Sequence, residues 1–193
     1  NIPFTALEIQ FKGGSSLDTP DKRGAVNLMT ALIEEGAGDL DSQGFAAARD
    51  DLAARISFDS DADGVSVSAQ FLTENRDAGV DLLHSALSDA RFDPDAVERV
   101  REQVLSNLRS NEKDPGSIAF DLERARSFAD HPYGSDGDGT IESVTALTRD
   151  DIVAAYKGAL AQDRITIGAA GDITPAELGV LLGLITGDGH FTN

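Results

Sequence analysis

The sequence predicts an α+β fold, with helices laid on a largely antiparallel sheet. Three observations carry that reading. Strict apolar–polar alternation marks one strand near each end of the chain and a hairpin between them. Apolar residues at helical spacing fill the intervening stretches. Capping residues and prolines open those stretches, and glycines close several of them. The 193 residues are enough for one domain with a sizeable core, and 40% of them are hydrophobic.

Ile2 to Phe11 reads as the first strand, with Leu7, Ile9 and Phe11 alternating with Glu8 and Gln10. Gly13-Gly14 ends it. Thr19-Pro20 supplies a capping hydroxyl and a first-turn proline, so a helix is expected from there. Ala25, Leu28, Met29, Leu32 and Ile33 give that helix one apolar face, and Gly36-Ala37-Gly38 stops it. Ser42 opens a second helix through Phe45, Ala48 and Leu52. Ile56 and Phe58 alternate in one strand; Val65, Val67, Ala69 and Phe71 alternate in the next. Asp61-Ala62-Asp63-Gly64 makes the turn between them. Thr73 is expected to cap a third helix carrying Val80, Leu83 and Leu87. Asp93-Pro94 starts a long one carrying Val97, Val100, Val104 and Leu108, which Asp114-Pro115-Gly116 breaks. Ile118 to Phe128 is expected to be helical. Thr148-Arg149-Asp150-Asp151 and Thr174-Pro175-Ala176-Glu177 have capping-box spacing and open two more helices. Ile165 and Ile167 mark the strand between them, closed by Gly171-Asp172. Gly187-Asp188-Gly189 reads as the start of a linker.

Acidic residues outnumber basic ones 34 to 16, for a net charge of −18. Phosphates would be repelled, which argues against a nucleic-acid surface; a cationic peptide would be attracted. A solvated acidic surface, as in a salt-rich habitat, is the plainer explanation, and a tuned binding surface the sharper one. With no Cys, disulfides and Cys-based metal sites are excluded. No apolar run reaches membrane-spanning length; Gly179 and Gly183 interrupt the longest. The chain opens on Asn1 inside a strand, so upstream sequence is expected to have been removed.

Gly13-Gly14-Ser15-Ser16-Leu17-Asp18, Lys22-Arg23-Gly24-Ala25 and a helix ending in Glu35-Gly36 resemble the opening of an insulinase/pitrilysin-type peptidase domain. The family's usual form is G-G-S, a short loop, G-x-A, then the inverted zinc motif H-x-x-E-H. The likeness continues through Arg91-Phe92-Asp93-Pro94, His131-Pro132-Tyr133-Gly134, Glu142-Ser143-Val144, Leu147 to Asp151, and Ala170-Gly171-Asp172-Ile173-Thr174. It covers nearly the whole chain in the family's order. The resemblance is to the N-terminal half of a bacterial processing-peptidase-like protein. It implies a mixed, mostly antiparallel sheet of about five or six strands in the LuxS/mitochondrial-processing-peptidase-like metallohydrolase fold. Residues 1–193 are then one domain, expected to be a fragment of a longer two-domain chain.

In the family, two His at i and i+4 bind zinc and the Glu between them acts on the bound water. A Glu from a later helix completes the ligand set. The resemblance places these at Asn27, Thr30 and Ala31, with the later Glu near Asn107. Ala31 has no donor atom. Asn27 offers a neutral amide, poor beside imidazole. Thr30 takes no proton from water near neutral pH. Neither Ser106 nor Leu108, beside Asn107, improves the set. The chain alone is therefore expected to be inactive, with no catalytic residue, no cofactor and no metal of its own. Zinc is expected only in an active partner.

Other candidates are weaker. His84 sits on an apolar helix face and reads as a core or boundary residue. His131 is either a structural loop residue or a peptide contact, and His190 carries no assignment. Gly13-Gly14 lacks the spacing and Lys of a phosphate loop. Asp59, Asp61 and Asp63 resemble half of a calcium loop, but Gly64 comes one place late and no closing Glu follows. A polar hairpin turn is the alternative. Ser15, Ser16 and Ser135 have no His partner for nucleophilic catalysis.

The resemblance implies a non-catalytic subunit or domain of a zinc-dependent peptidase, completing the chamber and binding peptide for an active H-x-x-E-H homologue. Its partners would be that homologue or its own missing second half, and a peptide substrate. The rival is a structural scaffold subunit, like the respiratory complex III core proteins, without a peptidase role. A periplasmic or secreted setting follows from the resemblance alone.

Overall fold

Alternation along the strands builds the sheet that the helices cover. In β1 (Phe4–Lys12), Leu7, Ile9 and Phe11 are buried while Glu8, Gln10 and Lys12 are exposed. A computed structural model describes residues 3–186; His190 and the expected linker at Gly187-Asp188-Gly189 lie outside them. β1 pairs antiparallel with β5 (Gly64–Leu72) on one side and with β6 (Ile165–Gly171) on the other. β4 (Arg55–Ser60) pairs antiparallel with β5, giving the order β4-β5-β1-β6. The register sets Leu7 between Ala69 and Ala169, Ile9 between Val67 and Ile167, and Phe11 between Val65 and Ile165. All these apolar side chains therefore share one face.

Two further strands, β2 (Gly36–Ala37) and β3 (Leu40–Asp41), form a small antiparallel sheet of their own, and Ala37 also makes an antiparallel bridge to Ala90. Six strands are thus present among the described residues, four in the main sheet, and every described ladder is antiparallel. The expected α+β fold with an antiparallel sheet is present, with its six described strands divided between a four-stranded and a two-stranded sheet. Gly36, at φ 133, turns the chain sharply after the 3-10 turn Ile33–Glu35, and only two residues extend before the next turn.

Helices α1 (Ala25–Leu32), α2 (Ser42–Asp51), α3 (Arg76–Ser88), α4 (Pro94–Asn111) and α7 (Arg149–Ala159) bury Leu28, Met29, Phe45, Leu83, Leu87, Leu105 and Ile152 in one cluster with the sheet. Each such side chain contributes about 1.5–3 kcal/mol of burial. α5 (Pro115–Phe128), α6 (Ile141–Ala146) and α8 (Pro175–Thr186) complete the set.

Both capping boxes form. The Thr148 hydroxyl accepts from Asp151 N, and the Asp151 carboxylate accepts from Thr148 N at 2.8 Å. Thr174 and Glu177 exchange the equivalent pair. Two expected caps do not form. The segment after Thr19 makes only a 3-10 turn, Pro20–Lys22, and the Thr19 hydroxyl donates to Asp21 at 2.7 Å. Gly24, at φ 95, delays α1 to Ala25. Thr73 likewise opens a 3-10 turn, its hydroxyl donating to Asp172 at 3.0 Å, and α3 starts at Arg76. α5 begins at Pro115, earlier than expected, because Asp114 accepts from Ser117 N at 2.8 Å.

Candidate functional site

α1 is buried on almost every side. Of its eight residues only Asn27, half-buried, and Ala31, exposed, are open. They stand four apart, so they form one stripe. Thr30 lies off that stripe, 5% exposed, and its hydroxyl donates to the Val26 carbonyl at 2.8 Å. Asn107 is exposed on α4, where its side-chain carbonyl accepts from Gln103 at 3.2 Å.

Asn27 lines a polar groove of about 270 Å³. Its walls come from the loop after β1, the β4–β5 turn, and the segment from Arg124 to Asp138. Arg23 ties the first of these pieces to the last. It is 5% exposed, and its guanidinium donates to the carbonyls of Asp136 (3.0 Å), Pro132 (2.6 Å), Ser135 (3.0 Å) and Ser15. Burial lowers its pKa, while Asp18 and Asp136 act in the opposite direction. Asp18 holds the start of α1 from the other side, accepting from Gly24 N at 3.0 Å and Val26 N at 3.2 Å. Burial pushes its carboxyl up to about 6, against those hydrogen bonds.

The β4–β5 turn is a polar hairpin turn. The Asp61 carboxylate accepts from Asp63 N at 2.7 Å and Gly64 N at 2.8 Å, and the Asp61 carbonyl accepts from Ser15 N. The Tyr133 hydroxyl donates to Asp63, which raises the Tyr133 pKa. His131 is exposed, and its Nδ1 accepts from Tyr133 N at 3.2 Å, bracing the turn Pro132–Gly134. Its ring meets the Tyr133 ring edge-on at 4.5 Å. His84 is half-buried on α3, a boundary residue. Among the described residues, no three His, Cys, Asp or Glu side chains converge as metal ligands.

The residues at the aligned positions do not suit zinc. The stripe offers one neutral amide and a methyl group, and the Thr30 hydroxyl is spent on its own helix. No catalytic step through a metal follows from this donor set. Asn27 and Ala31 do share the open face of α1.

Sequence alone assigns no role to Arg23, Asp18 or Arg124. Arg124 Nε is buried without a hydrogen-bond partner among the described residues. The only local sign was an arginine next to a glycine just before the predicted helix face. Three of the four Arg23 acceptors lie more than a hundred residues away, beyond any local pattern.

Comparison with known proteins agrees with this geometry. The model of the insulinase family, peptidase family M16, matches residues 1–137. A non-peptidase homologue from Helicobacter pylori, YmxG, is 25% identical over 172 residues, 89% of this chain and 40% of that protein. The mitochondrial-processing peptidase subunit beta of Neurospora crassa is 23% identical over 165 residues, 86% of this chain and 35% of that protein. The crystal structure of a peptidase M16 inactive domain from Pseudomonas fluorescens superimposes with TM-score 0.93 at 23% identity, covering 96% of this chain and 45% of that one. The chain thus spans less than half the length of these relatives.

Proposed function

We propose that this chain, which belongs to the insulinase family (peptidase family M16), is a non-catalytic member that completes a peptide-binding chamber. Its active counterpart would be an H-x-x-E-H homologue, as a separate subunit or as a second half of the same polypeptide. One observation carries the reading: the open stripe of α1 presents Asn27 and Ala31, and Thr30 turns its hydroxyl to the backbone. The helix that would hold zinc is in place without donors for it, so zinc belongs to the partner. The names of two relatives, a non-peptidase homologue and an inactive M16 domain, support the same assignment.

Peptide binding is supported by what surrounds Asn27. β4 is an outer strand whose end continues into Ser60, Asp61 and Ala62 of the groove. Its free edge offers main-chain groups to an extended peptide, a sequence-tolerant mode of recognition. The negative charge of the chain favours cationic segments.

The test is metal analysis and peptidase assay of the purified chain, followed by co-expression with an H-x-x-E-H homologue. The chain alone should hold no stoichiometric zinc and cleave nothing, and cleavage should appear only in the pair. One tight zinc per chain would overturn the reading.

A further inference from the structure

α5 packs at its C-terminal end on the turn Pro132–Gly134, where Phe128 meets the Tyr133 ring edge-on at 5.6 Å, and the rest of its apolar face is open. None of its 14 residues is buried. A helix of this length is marginal unless an apolar face is covered. Ile118, Phe120, Leu122 and Phe128 are 43%, 62%, 56% and 45% exposed, and they are four of the five large hydrophobic side chains exposed among the described residues. Ile118, Leu122 and Ala125, at helical spacing, line a groove of about 500 Å³. Leu108 of α4 and Ile141 of α6 face them across it. The groove opens to solvent, and a cluster of exposed large apolar side chains of this kind marks an interaction surface.

We infer that the groove between α4 and α5 docks an amphipathic helix of a partner protein, with basic residues flanking its apolar face. The inference deepens the reading above, on which it rests for the existence of a partner. Three arguments select the occupant. Glu112, Asp121 and Asp136 rim the groove, against a single cation, Arg124. Arg124 is already paired, with Asp121 at 2.5 Å and Asp136 at 3.4 Å. The rim is therefore net negative and fits basic residues. A second copy of this chain would bring another net charge of −18 to the same surface, which like-charge repulsion opposes. An extended strand has nothing to pair with, because the main-chain bonds of α4 and α5 run within the helices. Apolar knobs at i, i+3, i+4 and i+7 of a docking helix do fit such a groove.

The experiment uses a synthetic amphipathic helix of roughly four turns, labelled for fluorescence anisotropy, with Leu knobs and a Lys/Arg rim. A counter-probe keeps the Leu and carries Glu in the rim. The basic probe should bind the full chain, weaken at least about tenfold as salt rises, and outcompete the counter-probe. Leu122→Asp should abolish binding. Should that variant melt differently from the parent, amide exchange of α5 in the unaltered chain replaces it: slower exchange on probe addition supports docking there, and unchanged exchange overturns it. Equal binding of both probes, or self-association that occupies α5 in sedimentation, would also overturn it. Failure here would leave the chamber reading intact, because that reading is scored by zinc content and by cleavage in the pair.

Discussion

Replacing Arg23 by Met removes the donor set that joins the loop after β1 to the segment 132–136 beside Asn27. Four carbonyl oxygens, of Ser15, Pro132, Ser135 and Asp136, lose their charged donor. A hydrogen bond from a charged group contributes roughly 1.5–3 kcal/mol, and such values do not add. Some acceptors lie near the groove and regain water, and Met avoids the cost of burying a charge. The net expectation is a loss of about 3 kcal/mol, a fall in melting temperature of roughly 6–12 °C. Lys restores the charge but offers a compact ammonium where a planar fork spans four acceptors, so it should recover only about half. Urea unfolding followed by circular dichroism measures this, with limited proteolysis at the Pro132–Gly134 turn as the local readout. If Arg23→Met lies within about 0.5 kcal/mol of the parent, or if Lys restores full stability, Arg23 does not tie the groove together.

Asp18 should give the chain an unusual pH dependence. Its carboxyl, ordinarily near 3.8, sits at about 6 in the folded chain, so the folded state binds the proton more tightly between those values. Stability therefore falls as pH rises through that window, by roughly 1–2 kcal/mol after screening at this half-buried site, and Asp18→Asn should remove the fall; parallel melting curves for the two proteins from pH 4 to 7 would refute it. Gly24→Ala should cost about 2–3 kcal/mol, because φ is 95 and a Cβ would stand 2.7 Å from the Asp138 carbonyl. Gly158→Ala, inside α7 with nothing within 4 Å of its Cβ, should instead stabilise by about 0.5–1 kcal/mol. Chemical denaturation of both variants decides the pair, and equal effects would count against the strain argument.

What could be read from the sequence was whatever repeats over a few residues. The alternation in β1 and β5, the apolar face of α1 and the two capping boxes are local patterns, and each is where it was expected. Thr19 and Thr73 carry the right hydroxyl, but both were taken by carboxylates, of Asp21 and Asp172. Six residues of α6 and the two-residue strands β2 and β3 are too short to show a period. The groove escaped for another reason. Asn27, Asp61, Arg124 and Tyr133 come from three segments that only the fold assembles. The resemblance nonetheless put Asn27 and Ala31 on the helix face that proves to be open, because helical spacing survives when the side chains change.

That survival has a physical basis. In many zinc sites the metal contributes to folding, so losing its ligands threatens the fold. Here the residues that orient α1 are different from those at the ligand positions. Asp18 caps its start, Arg23 fastens the adjoining loops, and Leu28, Met29 and Leu32 bury its inner face. The two open positions carry none of that stabilisation. Substitution at Asn27 and Ala31 is therefore nearly free for the fold, whereas change at Asp18, Arg23 or Gly24 is not. A family helix held this way can lose its metal chemistry and keep its place in the chamber wall, which is the division of labour proposed for this chain.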